Sequence, residues 1–338
     1  MGFFRFLARR ILFQLLVVLG AITLTFFATK AIPGNPVAVL LGPLGMRDPQ
    51  QVQAVTVAWK LDQPTPVQYV YYLYNIFAGN LGTSIHSRNP VSVELATRVP
   101  ATFELIIFAF LIAMAIAIPL GIVSATYRGS GVDHVARISA VTGLSAPQFW
   151  WAIIFLLVFY YYLGFAGTGR LSIGFSPPPY ITGMYTVDAL IEGRLDTFLD
   201  ALSHIWLPAF TVGITSCGLT MRLIRASMLE VINSDFVRMA RMKGLPERTV
   251  IFKHVLRNAL IPVVTYVPVL FASMLVGSVL VETIFNWNGL GQFAVEAIFS
   301  SDYPAILGVT IVVVIVYSTG NVLADLFYHV VDPRVKYD

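Results

Sequence analysis

Residues 101–125 read ATFELIIFAFLIAMAIAIPLGIVSA and contain one ionisable side chain, Glu104. A helix of this length is longer than the roughly 30 Å hydrocarbon core of a bilayer, because each residue adds about 1.5 Å. Small residues recur at every fourth position, at Ala109, Ala113, Ala117, Gly121 and Ala125. Such a stripe allows two helix backbones to approach closely. We therefore predict a membrane-spanning helix that packs tightly against a second helix.

The composition extends this prediction to the whole chain. Of the 338 residues 57% are hydrophobic and 12% are charged, about half the roughly 25% charge of a soluble domain. Six apolar stretches are long enough to span a bilayer: 11–29, 101–125, 141–163, 205–223, 260–281 and 305–331. The sequence thus predicts an all-α, polytopic membrane protein with about six transmembrane helices. It argues against a soluble enzyme, a disordered chain and a nucleic-acid-binding protein.

The basic residues predict the orientation of these spans. The side with the N-terminus, the second and fourth loops and the C-terminus holds 15 Lys and Arg residues, and the other side holds 7. Basic residues concentrate in cytoplasmic loops. We therefore expect a multi-pass protein of the cell (inner) membrane with both termini in the cytoplasm. Proline lies within three of the spans, at Pro119, Pro208, Pro262 and Pro268, as expected where neighbouring helices or a cavity satisfy the freed carbonyls.

Motifs for catalysis or metal binding are missing from the sequence. It contains no Walker A, GxSxG or HExxH motif, and its five histidines have no metal-ligand spacing. Gly289, Gly291 and Ala294 fit GxGxxA, but they follow a membrane span instead of opening a βαβ unit. The lone Cys217 excludes an internal disulfide. We predict no enzymatic activity, no metal site and no cofactor in this chain.

Ionisable residues within the spans are few, and this bears on a rival class, the secondary transporter. Such transporters bury carboxylates or histidines to couple ions. Glu104 lies near the outer end of the second span and Asp325 in the inner half of the sixth. Asp325 is either a proton or substrate site or a polar residue bonded across helices, and we favour the second interpretation. A membrane scaffold or signalling module is a further rival, although both termini are short.

The loop at 225–258 is the most informative hydrophilic segment. Ser234 or Asp235 can cap a short helix from Phe236, and Gly244 suits its C′ position. One face of that helix carries Phe236, Met239, Ala240 and Lys243. Pro246 suits the first turn of a second helix that runs into 255–258. The pattern fits an amphipathic hairpin on anionic lipid or a rigid knob that docks into a cytosolic partner; these residues leave both open.

A family resemblance favours the docking knob. DFVRMARMKGL (235–245) followed by HVLRNALIPVVT (254–265) resembles the coupling loop of binding-protein-dependent ABC importer permeases, and specifically the first permease of the dipeptide/oligopeptide type. Further resemblance lies in ARRILFQLLVVLGAITLTFFATKAIPGNP (8–36), GNLGTSI (79–85), VPATFEL (99–105), VETIFNWNGLGQFAVEAIFSSDYP (281–304) and DLFYHVVDPRVK (325–336). Where the general loop has Glu-Ala-Ala, this chain has Arg238, Met239 and Ala240, as is habitual in the peptide branch.

The resemblance implies a type I ABC importer bundle and a set of partners. The partners are a second related permease, two cytosolic ATPase subunits that bind ATP and Mg, an external solute-binding protein and membrane lipid. It divides the chain into an N-terminal helix with an external segment (1–97), a transmembrane domain (98–328) with the coupling loop 225–258, and a tail (329–338). It assigns contact with the ATPase to Asp235, Phe236, Arg238, Met239, Ala240, Arg241, Lys243 and Gly244. Peptides are the expected cargo, with nickel complexes, glutathione or oligosaccharides as alternatives.

The external segment 30–100 holds Tyr69, Tyr71, Tyr72 and Tyr74. It is too long for a simple connection, and it is either part of the dock for the solute-binding protein or a vestibule. The stiff stretch 176–179 is a further candidate contact for that protein. For the tyrosines themselves we favour a belt at the membrane interface that anchors the first two spans.

Overall fold

The computed structural model describes residues 3–31, 37, 46–58, 60–165 and 167–331. Across these residues the secondary structure is helical, and the single β-type pairing is an isolated bridge between Thr83 and Pro90. The all-α prediction is thereby confirmed for the described part of the chain.

The helices, in chain order, are α1 (Phe3–Ala31), α2 (Pro49–Ala58), α3 (Thr65–Phe77), α4 (Val91–Thr126), α5 (Gly131–Ser145), α6 (Gln148–Phe155) with a π-helical continuation (Leu156–Tyr162), α7 (Tyr185–Glu192), α8 (Leu195–Ile232), α9 (Asp235–Met242), α10 (Glu247–Thr249) with a π-helical continuation (Val250–Val255), α11 (Leu256–Ala259), α12 (Ile261–Gly277), α13 (Val279–Ile284), α14 (Leu290–Phe299) and α15 (Tyr303–Val331).

The described helices provide between four and six membrane spans. α1, α4, α8 and α15 are each long and apolar enough to cross a bilayer. Two bent pairs add one span each if each pair is counted as a single crossing. The first pair is α5 with α6 and its π-helical continuation, and the second runs from α10 to α12. The six predicted stretches therefore all fall on apolar helices, although two of these are interrupted.

The third predicted span, 141–163, is wrong as a continuous helix. The axes of Gly131–Gly143 and Gln148–Tyr162 differ by 98°. Ala146 and Pro147 between them are extended, with ψ of 141° and 142°. A proline disfavours the helical conformation of the residue before it and cannot donate an amide hydrogen bond, so the helix ends here. The second bent pair is milder, with a 50° change of direction before Ile261.

The predicted stripe of small residues lies at the centre of the bundle, where α4 packs along α8. All five stripe residues of α4 are buried. A Cβ atom on Gly121 would lie 2.7 Å from the Cγ2 atom of Ile224. A Cβ on Gly213 would lie 2.8 Å from the carbonyl oxygen of Ala109. The two backbones are thus close enough to exclude a side chain at both glycines, which confirms the prediction of tight helix packing.

The external tyrosines fall into two groups. Tyr69 and Tyr72 of α3 pack against α1: the Tyr69 hydroxyl lies 2.6 Å from Thr23 Oγ1, and the Tyr72 ring stacks on Phe26 with centroids 5.4 Å apart. Tyr71 and Tyr74 are exposed. The first group therefore anchors α3 to the first span, and the belt of tyrosines at a membrane interface stays a prediction.

Candidate functional site: the loop between the fourth and fifth spans

A left-handed glycine forms the corner of the loop 225–258. α9 ends with Lys243 N donating to Met239 O at 3.1 Å, and Gly244 N then donates to Arg241 O at 2.9 Å. Gly244 has φ of +74°, a conformation that L-residues with a side chain adopt only at a cost. The prediction that Gly244 occupies the C′ position is confirmed.

The start of α9 differs from the predicted cap. The helix begins at Asp235, one residue earlier than expected, and Ser234 stands at the N-cap position. The Ser234 side chain does not cap the helix, because its hydroxyl donates to Val231 O at 2.6 Å. The Ser234 carbonyl instead accepts from Arg238 N at 3.1 Å. The hydroxyl thus ties the loop back to the end of α8.

The second helix of the loop also departs from the prediction. Pro246 stands one residue before α10 rather than in its first turn, and its carbonyl accepts from Thr249 N at 2.8 Å. From Val250 to Val255 the helix is π-helical, and it returns to α-helix up to Ala259. Sequence periodicity carries no signal for such a widened turn.

An ion pair that the sequence did not suggest spans the corner. Arg241 donates from Nη2 to Glu247 Oε1 at 2.7 Å and from Nε to Glu247 Oε2 at 3.2 Å. The two residues are six apart and separated by Gly244, so no helical spacing marks them as neighbours. The pair is bidentate but largely exposed, and exposed pairs contribute about 0–1 kcal/mol. The pair therefore contributes little to the stability of the fold, and its main effect is on the angle between α9 and α10.

The side chains of α9 divide into an inner and an outer set. Val237 and Ala240 are buried and belong to the same apolar cluster as Val250 and Val255. Ala240, predicted to share the docking face, is therefore turned into the protein, where its small size allows α9 to lie against the following helix. Sequence alone could not show this, because apolar residues occur on both sides of this short helix.

The outer set consists of apolar side chains with basic neighbours. Phe236 is 46% exposed, Met239 53% and Met242 79%. Arg238 is 3.6 Å from Asp235, and both side chains are mostly exposed. Lys243 is exposed beside the corner. Of the predicted contact residues, the structure thus presents Phe236, Met239 and the charged residues outward, together with Met242, which was not predicted.

Three of the buried carboxylates beyond this loop, Glu104, Asp188 and Glu282, each accept several hydrogen bonds from protein donors. Glu104 accepts from Arg170 Nη2 and from the Thr186 amide and hydroxyl, each at 2.7 Å. Asp188 accepts from the amide and hydroxyl of Thr182 and from Gly183 N at 2.7–2.9 Å. Burial opposes its ionisation, but these hydrogen bonds outweigh burial and hold the pKa of Asp188 below its usual value.

The third carboxylate explains the GxGxxA match. Glu282 Oε2 accepts from Gly291 N at 2.7 Å, and Oε1 accepts from Thr102 Oγ1 at 2.8 Å. A Cβ atom on Gly289 would lie 2.5 Å from Glu282 Oε2. The glycines therefore make room for a carboxylate rather than for a nucleotide. The side chain of Asp325 lies outside the described part of the chain, and the described residues hold no group of three or more His, Cys, Asp or Glu that could bind a metal.

Comparison with known proteins gives near full-length matches. The family described as "Binding-protein-dependent transport system inner membrane component" matches residues 117–337, and the corresponding N-terminal family matches residues 3–106. The probable D,D-dipeptide transport system permease protein of Escherichia coli (strain K12) is 40% identical over 336 residues, which cover 99% of this chain and 98% of that protein.

Two further relatives also match over nearly the whole chain. The dipeptide transport system permease protein of the same strain is 37% identical over 98% of this chain and 99% of its own length. The oligopeptide transport system permease protein of Bacillus subtilis (strain 168) is 35% identical over 98% of this chain and 99% of its own length. The chain therefore belongs to the family of binding-protein-dependent transport system inner membrane components.

Proposed function

We propose that this chain is one of two membrane subunits of an ATP-driven importer of di- or oligopeptides. Family membership supports the role of a multi-pass membrane component that works with other components of a transport system. The cargo is inferred from the relatives, which are named for D,D-dipeptide, dipeptide and oligopeptide transport and match over nearly their whole length. The chain forms half of the translocation pathway and a second, related permease forms the other half.

The loop 225–258 is the contact for a cytosolic ATPase subunit in this proposal. The observation that carries it is the outward set of Phe236, Met239 and Met242 on a helix whose other side is anchored in the protein. Exposed apolar side chains with basic neighbours on a rigid corner suit insertion into a groove of a protein partner. Two ATPase subunits bind ATP and Mg, and this chain contributes no cofactor site of its own.

Peptide reaches the pathway from an external solute-binding protein, and both termini of this chain lie in the cytoplasm. The basic asymmetry of the loops supports this orientation. The division into an N-terminal helix with an external segment, a transmembrane domain and a tail belongs to the same proposal. A secondary transporter is less well supported, because Glu104, a buried carboxylate within a span, is already paired with Arg170.

The test is uptake by the reconstituted system. The chain, its partner permease and the ATPase subunits are placed in proteoliposomes with the solute-binding protein and ATP. We expect uptake of a labelled dipeptide that ceases when ATP or the ATPase subunits are left out. Nickel complexes, glutathione and oligosaccharides serve as competitors. Uptake of one of these in preference to peptide would contradict the proposal that the cargo is peptide. Uptake without ATPase subunits would contradict the proposal that transport is driven by ATP.

A further inference from the structure

A buried carboxylate of α5 joins α4, α5 and α8 at the end of the bundle that carries the loop 225–258. Asp133 Oδ1 accepts hydrogen bonds from Ser124 Oγ at 2.5 Å and from Arg225 Nε at 3.0 Å. Asp133 Oδ2 accepts from Arg225 Nη2 and from Gly129 N, both at 3.0 Å. The Asp133 side chain is 2% exposed. We call Asp133, Arg225, Ser124 and Gly129 the Asp133 cluster.

The Asp133 cluster lies near the candidate ATPase contact along the chain. Arg225 lies on α8 about two helical turns before that helix ends at Ile232, and α9 follows directly. α9 packs against the π-helical continuation of α10, and that continuation packs in turn against α8. A displacement of α9 therefore moves the end of α8, because packed apolar interiors transmit displacement instead of absorbing it.

The other side of the cluster is the turn between α4 and α5. Ser124 lies in the last turn of α4, Gly129 lies in the connection with φ of +80°, and Asp133 lies in the first turn of α5. Ser130 caps α5 by accepting from Asp133 N at 3.3 Å. One guanidinium group on α8 thus holds the α4–α5 turn in two ways, through the Asp133 carboxylate and through a direct hydrogen bond from Arg225 Nε to Ser124 Oγ at 2.9 Å.

The geometry favours a stiff connection over a loose one. Arg225 binds both carboxylate oxygens, and such a fork fixes the angle between two groups as well as their distance. Removing one partner of a buried pair leaves a charge without compensation, so the cluster has no low-energy open form. Arg137 offers a contrast, since it lies 3.9 Å from Asp133 Oδ1 and its side chain is 48% exposed.

We propose that the Arg225–Asp133 pair is a positioning pair that makes the end of α8 and the α4–α5 turn move as one body when the ATPase subunits close. This inference rests on the proposed function, since it concerns how movement at α9 reaches the transmembrane helices. Neither residue contacts peptide or nucleotide; both act through the helices that they join.

The first experiment separates coupling from folding. Arg225→Lys keeps the charge but loses the fork, and Asp133→Asn keeps the shape but loses the charge. In proteoliposomes with the complete transport system, we expect both variants to hydrolyse ATP while peptide taken up per ATP falls about fivefold or more, the effect of roughly 1 kcal/mol. Arg137→Lys is the matched control at the same carboxylate. Its ratio of peptide taken up to ATP hydrolysed should equal that of the unaltered protein. A purely structural pair would lower the amount of assembled complex and leave the ratio unchanged.

The second experiment needs no peptide and compares the unaltered cluster with Arg225→Lys. Spin labels at Val135 of α5 and Leu219 of α8, both exposed, report the distance between the two helices in the complex with ATPase subunits. We expect this distance to be the same with ADP and with a non-hydrolysable ATP analogue, and to become nucleotide-dependent in Arg225→Lys. A nucleotide-dependent distance in the unaltered protein, or an unchanged uptake ratio in both variants, would overturn the proposal. Absence of ATP-driven peptide uptake by the unaltered complex would instead overturn the proposed function, and the label distances would still decide the role of the pair.

Discussion

Arg241 and Glu247 form a two-pronged ion pair, at 2.7 and 3.2 Å, across the left-handed Gly244. The pair and the glycine do different things at the same corner. Gly244 makes the sharp turn possible, because its φ of +74° is poorly accessible to other residues. Arg241 and Glu247 then bias the angle at which α10 leaves. We therefore expect substitution of Gly244 to have a larger effect than substitution of Arg241 or Glu247.

Gly244→Val should uncouple transport from ATP hydrolysis while the protein still inserts into the membrane. A side chain at this φ costs about 1–2 kcal/mol locally, and the strain is relieved by redirecting α10. The measurement is peptide uptake per ATP hydrolysed in the reconstituted complex. Gly20→Ala serves as the control, since a Cβ there has no atom within 4 Å. Normal coupling in Gly244→Val would show that the corner geometry is not used.

Removing the ion pair should have a small effect. We expect the two single variants, Arg241→Ala and Glu247→Ala, to change the free energy of unfolding almost independently. In a double-mutant cycle of thermal unfolding, the double variant should differ from the sum of the single variants by about 0–1 kcal/mol. The reason is that both side chains are largely exposed and water replaces the lost partner. A coupling energy well above this range would mean that the pair is buried in the assembled complex, against the ATPase subunit.

Phe236→Asp should weaken the contact with the ATPase subunit without unfolding the chain. Phe236 is about half exposed, so an aspartate there remains solvated, but it removes the apolar anchor of the outer set. Co-purification of ATPase subunits measures the effect, and a cysteine at position 239 should cross-link to the ATPase. Phe299→Asp, on an exposed residue of α14, is the control and should bind normally. Retained ATPase binding by Phe236→Asp, together with no cross-link from position 239, would support the lipid-facing hairpin instead.

The fold was predictable where one residue type repeats at a helical spacing. The small residues from Ala109 to Ala125 predicted both the α4 helix and its tight packing. The break at Ala146–Pro147 was missed because residues on both sides of it were taken into one apolar stretch, 141–163, although the proline was a visible local signal.

The candidate loop was predicted only in part. Gly244 was found because a C-terminal glycine follows a helical pattern. The inward position of Ala240 depends on packing against Val250 and Val255, and the Arg241–Glu247 pair depends on the direction of α10. Both are tertiary relationships, which no spacing within eight residues of helix can encode.

A reporter fused after residue 338 tests the orientation. The basic asymmetry of 15 to 7 predicts that both termini lie in the cytoplasm. We expect a fusion to alkaline phosphatase to be inactive and a fusion to green fluorescent protein to fluoresce in cells. A fusion truncated within 79–90, in the external segment, should give the opposite pair of results. Active phosphatase on the full-length chain would contradict the six-span arrangement and would move the loop 225–258 away from any cytosolic ATPase.

Gly121→Val should destabilise the bundle through one identified clash, and a second substitution should relieve it. The added Cβ would lie 2.7 Å from Ile224 Cγ2 and 2.8 Å from Ile224 Cβ, so α4 and α8 must separate or a side chain must leave its rotamer, at a cost of about 1–3 kcal/mol. The midpoint of thermal unfolding in detergent should therefore fall. Gly121→Val combined with Ile224→Gly should recover part of that loss, because both clashing atoms of Ile224 are removed. Ile224→Gly alone should be destabilising, through the cavity that it leaves and through a glycine inside a helix. This opposite sign in the two backgrounds is the decisive result: if Ile224→Gly lowers the midpoint equally in both, the two residues do not meet and α4 does not pack on α8 at this point.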